Sequence, residues 1–261
     1  MAKYNETPVL TAQFQKQFTE LLISAPNRLA SEMLENAANI LKNKGTEAQN
    51  FVLEVNAHLL ERSVESGSKI SPVIIKALKF ATEAHNYQIR KHPNLVIPYI
   101  VHIYDVARRL LRLEITDEIT LCAAILHDTV EDTECSLLDI LVLFGEDVRA
   151  IVDQVSEGDY PPGVPKPSKW ERKLAYIAKV ENAPPSLSNK IVIVSAIDKL
   201  SNGYDYIHAA YEGNNLDEES RLLQSNFYGR LVPIYLKHLK KNQPELHRQI
   251  DVMRNELHKI W

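Results

Sequence analysis

The segment LHDTVEDT, at positions 126–133, places four ionisable side chains directly after an apolar stretch that reads LCAAI. Helical spacing predicts that His127 and Glu131 are neighbours on one side of a helix. It predicts the same of Asp128 and Asp132, in an adjacent column. A carboxylate that points into a core without a compensating partner is costly. The segment therefore indicates a functional site rather than ordinary packing.

Two further polar side chains occupy apolar helical faces elsewhere in the chain. His102 shares a face with Val106, and Asp198 shares one with Val194. Alone, His102 could be a hydrogen-bonded core histidine. Asp198 could cap a neighbouring helix or pair with Asn202 one turn further. Together with the segment above, the two residues predict a cluster of histidines and carboxylates that point inward.

A divalent metal is the simplest charge that would balance such a cluster. Two imidazole nitrogens and two carboxylate oxygens would leave coordination positions for water and substrate, which is the layout of a catalytic site. The predicted ligands come from three helices and are His102, His127, Asp128 and Asp198.

The other two acids of the segment, Glu131 and Asp132, lie one turn beyond the predicted ligands. A carboxylate in that position can orient or deprotonate an attacking water molecule. We therefore predict that the two acids form a catalytic pair. The alternative is that they are two solvated acids at the end of a helix.

The composition indicates a helical protein. Apolar residues make up 45% of the 261 positions, and glycine is scarce at 8 residues. We predict an all-α fold, with an N-terminal helical extension over residues 1–70 and a helical domain over 71–261. Ser71 before Pro72, and a capping box at 168–171, mark two helix starts.

Charge and hydropathy exclude several classes of protein. A net charge of −4 gives no global reason to expect nucleic acid. Two cysteines provide neither a disulfide framework nor zinc-finger spacing. The first residues lack the profile of a signal peptide, and the apolar runs are too short to span a membrane. We expect a cytoplasmic protein without a membrane partner, and the sequence leaves its oligomeric state open.

The sequence motifs around these residues resemble those of a known family. AHNYQIRK, PYIVH, VARRLL, AAILHDTVEDT, LFGEDVR and DKLSN, within about residues 74–202, resemble the hydrolase domain of the RelA/SpoT homologues. That domain belongs to the HD phosphohydrolase superfamily. The resemblance implies an HD-domain helical bundle that removes the 3′-pyrophosphate of (p)ppGpp to give GDP or GTP. About 59 residues follow position 202, too few for a synthetase domain, so we expect a single-domain hydrolase.

The same resemblance assigns roles to individual residues. It implies that the four predicted ligands bind a metal, typically manganese (Mn²⁺), and that Glu131 and Asp132 act on the attacking water. Arg90 and Lys91 match a basic pair near the phosphates of a small-molecule nucleotide substrate, although alone they read as a solvated helix end. Asn202 matches a residue that contacts the nucleoside.

One departure from the family concerns base selectivity. Relatives usually carry histidine or tyrosine before the asparagine of the DKLSN motif and arginine two residues after it. This chain has Ser201 and Tyr204 there, and Gly203 between them could end the helix early. We predict that Asn202 and Tyr204 line the nucleoside side of the pocket and alter its purine preference. Alternatively, Tyr204 packs into the next helix.

The motifs do not fix the base of the substrate, so other functions stay open. An adenine alarmone (ppApp) and the 2′-phosphate of NADPH are alternative substrates for a hydrolase of this kind. A nucleotide-sensing module without turnover is a different class, which the intact acidic pair disfavours.

Overall fold

A computed structural model describes residues 71–86, 88–90, 97–158 and 165–261. The predicted N-terminal extension over 1–70 lies outside the described residues, and so does Lys91. The described part of the chain forms ten helices and two short strands. The helices are α1 (Pro72–Ala84), α2 (Ile100–Arg112), α3 (Glu118–Leu126), α4 (Thr129–Asp132), α5 (Leu137–Phe144), α6 (Glu146–Val155), α7 (Lys169–Glu181), α8 (Ser188–Tyr211), α9 (Glu218–Asn242) and α10 (Pro244–Ile260).

The strands β1 (Ile89–Arg90) and β2 (Ile97–Pro98) lie between α1 and α2 and pair antiparallel. Two residues in each strand make a minor addition to a helical protein, so the all-α prediction is confirmed. None of the described helices combines the length and the low charge that crossing a membrane requires.

The chain divides into two compact units between Ile125 and Leu126. In the first unit, the Ser71 hydroxyl accepts a hydrogen bond from the Val73 N–H at 3.3 Å and caps α1, as its sequence predicts. The helix α2 is buried over most of its length. Near its middle Asp105 pairs with the guanidinium groups of Arg108 and Arg109, which compensate this buried carboxylate.

In the second unit, α8 is the central helix. Half of its 24 residues are buried, and α6, α7, α9 and α10 all pack against it. The capping box of Ser168 and Glu171 begins α7, as predicted. The buried hydroxyl of Ser195 on α8 lies 2.6 Å from the hydroxyls of both Tyr176 and Tyr235. These three buried hydroxyl groups, one each on α7, α8 and α9, thus serve as hydrogen-bond partners for one another.

The expectation that Gly203 ends α8 early is wrong, because the helix continues to Tyr211. The glycine instead permits a close approach between two helices. A Cβ atom on Gly203 would lie 2.3 Å from Sδ of Met253 on α10, and Met253 is fully buried. The small size of glycine at this position therefore serves helix packing rather than a helix end.

We predict that Gly203→Ala lowers the free energy of unfolding by about 1–3 kcal/mol, because overpacking against Met253 exceeds the gain in helix propensity. Gly229→Ala on α9 is a matched control, since an added Cβ there meets nothing within 4 Å. It should stabilise the protein by roughly 0.5–1 kcal/mol. Urea unfolding measures both values. Equal stabilisation by the two substitutions would contradict the steric explanation.

Candidate active site

The histidine and aspartate of the LHDTVEDT segment lie in a turn between two helices. The helix α3 ends at Leu126, His127 and Asp128 form the turn, and α4 begins at Thr129. The prediction that one continuous helix carries all four ionisable groups is therefore wrong. The second half of the segment keeps the helical hydrogen-bond pattern, since the Asp132 N–H donates to the Asp128 carbonyl at 2.9 Å.

Two hydroxyl groups stabilise this interruption of the helix. The Thr129 hydroxyl donates to the Leu126 carbonyl at 2.6 Å, and the Ser156 hydroxyl contacts the His127 carbonyl at 3.3 Å. Ser156 follows the end of α6 and is buried. Carbonyl groups that the turn removes from the regular helical pattern thus keep partners. This explains how a buried segment departs from helix without losing its backbone hydrogen bonds.

His127 lies between two carboxylates in the second unit. Its Nε2 atom is 3.0 Å from Oδ2 of Asp128 and 3.5 Å from Oδ1 of Asp198. The histidine and Asp198 are almost fully buried, whereas the Asp128 side chain is partly exposed. Burial alone would lower the pKa of His127, but Asp128 and Asp198 raise it well above its usual range.

Both oxygens of Asp198 accept a hydrogen bond. Asn202 Nδ2 donates to Oδ1 at 2.6 Å, and Lys199 Nζ donates to Oδ2 at 2.6 Å. The pairing with Asn202 was one of the alternatives for Asp198, and it occurs together with the contact to His127. The pairing with Lys199 was not predicted, although the DK dipeptide placed the two residues side by side.

Lys199 stays charged in this buried position. Burial would lower the pKa of its ammonium, but Asp198 raises that pKa well above its usual range. Its Nζ atom lies 4.7 Å from the ring centre of Tyr176 and 5.9 Å from that of Phe227. On another side of Phe227, Lys173 Nζ lies 3.9 Å from the same ring. One aromatic ring thus contacts two ammonium groups.

Glu131 faces the segment that follows α6. Its Oε2 accepts a hydrogen bond from the Glu157 N–H at 2.9 Å. Burial of the carboxyl group, followed by the negative charge of Asp128, raises the pKa of Glu131 to about 7. A carboxylate with such a pKa can accept a proton near neutral pH. As a whole residue Glu131 is exposed, and so is Asp132, the other member of the predicted pair.

Glu157 also binds basic side chains that begin α7. Its carboxylate lies 3.2 Å from Arg172 Nε and 3.5 Å from Lys173 Nζ. The sequence predicts no role for Glu157, which bonds to Glu131 through its N–H and to these basic residues through its carboxylate. Its partners become apparent only in the fold.

In the first unit, His102 contacts an aromatic side chain. The histidine is buried, and the Tyr99 ring contacts it edge-on at 5.9 Å. Tyr99 also stacks on His85 at 4.8 Å, and the Arg90 guanidinium lies 5.9 Å from the Tyr99 ring centre. Nδ1 of His85 in turn lies 2.7 Å from Oε1 of Gln88. Tyr99 thus contacts the predicted ligand His102 and the predicted phosphate-binding residue Arg90.

Tyr204 lies on another part of α8. Two residues turn the helix by about 200°, so Tyr204 faces away from Asn202. Its ring contacts that of His208 edge-on at 6.3 Å. Glu245 and, more weakly, Tyr204 raise the pKa of Arg248 on α10. The ring contact with His208 lies within α8 itself. Packing of Tyr204 into the next helix and its role at the substrate both stay predictions.

The donor set of the second unit fits a divalent metal. An imidazole nitrogen and oxygens of two carboxylates converge at His127, and this mixture suits several divalent ions without selecting one. His102, His127 and Asp198 are all buried, where carboxylates need a compensating positive charge.

Comparison with known proteins identifies the family and several relatives of this chain. The family model for the HD domain matches residues 77–221. The chain is 41% identical over 147 residues to guanosine-3′,5′-bis(diphosphate) 3′-pyrophosphohydrolase MESH1 of Xenopus tropicalis, covering 56% of this chain and 76% of that protein. It is 40% identical over 141 residues to the Homo sapiens MESH1, covering 54% and 73%.

A solved structure is also similar. A metazoan orthologue of SpoT that hydrolyses ppGpp superimposes with a TM-score of 0.56 at 27% identity, over 71% of this chain and 96% of that one. The HD-domain match spans more than half of the chain and includes every predicted metal ligand. The chain is therefore a member of the HD-domain family.

Proposed function

We propose that this chain is a metal-dependent hydrolase that removes the 3′-pyrophosphate of (p)ppGpp-type alarmones, giving GDP or GTP and pyrophosphate. The observation that carries the proposal is the buried His127 between Asp128 and Asp198, in a chain whose relatives are ppGpp hydrolases. A nucleotide is the one partner that this function requires, and the cytoplasm is its proposed compartment.

The proposed ligand set is His102, His127, Asp128 and Asp198. Support for His102 comes from its burial and from its place within the HD-domain match. Manganese is the proposed metal on the basis of the family resemblance. When bound, a divalent cation polarises the scissile phosphate and lowers the pKa of a nearby water molecule.

The proposed base is Glu131, which takes a proton from the attacking water. The Glu157 N–H holds one oxygen of its carboxyl group. The water oxygen forms a bond to the phosphorus on the ribose 3′-oxygen, the bond from that phosphorus to the 3′-oxygen breaks, and the 3′-oxygen leaves and regains a proton. Asp132 is the proposed second acid, which orients the water.

Four residues are the proposed substrate contacts. Arg90 and Lys91 would bind the phosphates, and Asn202 and Tyr204 would line the nucleoside side. The Asn202 amide also donates to Asp198, so this residue would link nucleoside binding to the metal site.

The decisive experiment incubates the purified chain with ppGpp, ppApp and NADPH, each with and without Mn²⁺. We expect release of pyrophosphate from ppGpp only when Mn²⁺ is present. Orthophosphate released from NADPH as the main product would favour a phosphatase instead. Tight binding of ppGpp without any product would favour a nucleotide-sensing module.

We predict that Asp198→Asn weakens metal binding on the order of 10–100-fold or more, because it removes a buried negative charge from the ligand set. Asp251→Asn changes a surface aspartate that pairs with Arg254 and should leave metal affinity unchanged. Chelator competition measures both. Normal affinity in Asp198→Asn would exclude Asp198 as a ligand.

We predict that Glu131→Gln retains the metal but loses turnover on the order of 10²–10⁴-fold, because glutamine cannot accept a proton. Glu134→Gln, three residues further along at an exposed position, is the matched control and should keep its rate. Single-turnover kinetics with metal-loaded protein measure the chemical step. A near-normal rate in Glu131→Gln would assign the base to another group.

The raised pKa of Glu131 predicts a dependence of kcat/KM on pH. A base must be ionised, so the rate should rise with pH and level off at or below about pH 7, since the bound metal opposes the shift to about 7. The residual activity of Glu131→Gln should not show this rise of kcat/KM with pH. A profile that keeps rising above the neutral range would require a base of higher pKa.

We predict that Arg90→Ala raises KM about tenfold, the loss expected for one charged hydrogen bond, and leaves metal content unchanged. Arg112→Ala changes an exposed arginine in the last turn of α2 and serves as the control. Steady-state kinetics separate KM from kcat. If both variants match the unaltered protein, Arg90 is a solvated basic residue.

A further inference from the structure

Lys199 makes a contact that helix geometry does not provide by itself. Adjacent residues on a helix point about 100° apart, so their side chains do not normally face each other. Lys199 nevertheless places Nζ 2.6 Å from Oδ2 of Asp198, in a site where its side chain is 15% exposed and that of Asp198 is 3% exposed. The lysine stem must therefore fold back along α8 to reach this carboxylate.

Surrounding groups hold the lysine in this position. The rings of Tyr176 and Phe227 lie within cation–π range of the ammonium and pack edge-on against each other at 5.8 Å. The Tyr228 hydroxyl donates to the Lys199 carbonyl at 3.1 Å and fixes its backbone. Both the charge and the main chain of Lys199 are thus positioned by α7 and α9.

The charges around His127 explain why a lysine would be held there. Asp128 and Asp198 each bring a negative charge to the histidine. Glu131 is within electrostatic reach of both Asp128 and Lys199. A buried aspartate that loses its partner is strongly destabilising. An ammonium on Asp198 therefore supplies positive charge to the site whenever the metal is away.

We propose that Lys199 is the resident counter-ion of Asp198. It balances this carboxylate in the metal-free protein, and it lowers the affinity of the site for metal because it competes for the same charge. The inference rests on the metal site proposed above. Lys199 is then a positioning residue that lets the chain fold before metal arrives and keeps the metal exchangeable.

The test compares Lys199→Met with the unaltered chain, both stripped of metal and then titrated with Mn²⁺ alone. The metal-free variant should melt on the order of 10 °C lower. Its affinity for Mn²⁺ should rise on the order of tenfold or more, since a nearby like charge is removed. Saturating Mn²⁺ should return most of the lost melting temperature.

Three further variants separate charge from packing. Lys199→Gln keeps a hydrogen-bond donor without the charge, and it should also bind Mn²⁺ more tightly. If Lys199→Met does not fold, Lys199→Gln replaces it in the comparison. Lys199→Arg keeps the charge and should stay within a few-fold of the original affinity. Lys259→Met removes an exposed lysine that pairs with Glu256 on α10 and should leave Mn²⁺ affinity unchanged.

Two results would overturn the inference. Weaker or unchanged Mn²⁺ binding in both Lys199→Met and Lys199→Gln would mean that Lys199 only orients Asp198 or packs. If Lys199→Met lost the same melting temperature with and without Mn²⁺, Lys199 would likewise be a residue that only orients Asp198 or packs. If the unaltered chain binds no Mn²⁺, the proposed metal site itself fails, and that outcome is distinct from both.

Discussion

The site depends on compensating the charge of one buried carboxylate, Asp198. Its two oxygens bind Asn202 and Lys199, and one of them also approaches His127. A buried carboxylate is stable only with partners of this kind. Much of the second unit serves this need. The helix α8 presents the aspartate with its two donors, α7 and α9 supply the rings around the ammonium, and the α3–α4 turn brings the histidine.

The turn at His127 and Asp128 shows a second constraint. A regular helix points neighbouring side chains in different directions, so two adjacent residues rarely act on one centre. Interrupting the helix removes this restriction, and His127 Nε2 comes within 3.0 Å of the Asp128 carboxylate. The hydroxyls of Thr129 and Ser156 satisfy carbonyls at the break. The two side chains of the HD dipeptide thus meet where the regular helical hydrogen bonding is interrupted.

Local chemistry in the sequence predicted much of this architecture. Ser71 and Ser168 begin helices because their hydroxyls cap them, and the apolar face of α8 buries Asp198 as its spacing indicates. What could not be predicted depends on distant partners. The break after Leu126 is accompanied by a contact from Ser156, Gly203 allows the close approach of Met253, and the environment of Glu131 includes Glu157. No local pattern encodes those meetings, since each joins residues far apart in the chain.

The ring of Phe227 contacts two lysines, Lys173 and Lys199, at 3.9 and 5.9 Å. In most cores an exchange of phenylalanine for leucine alters packing and little else. Here it would also remove the π face from two ammonium groups at once. The hydrophobic core and the electrostatics of the site therefore share a residue. A substitution at position 227 would therefore disturb two charged groups, although the side chain that occupies it carries no charge.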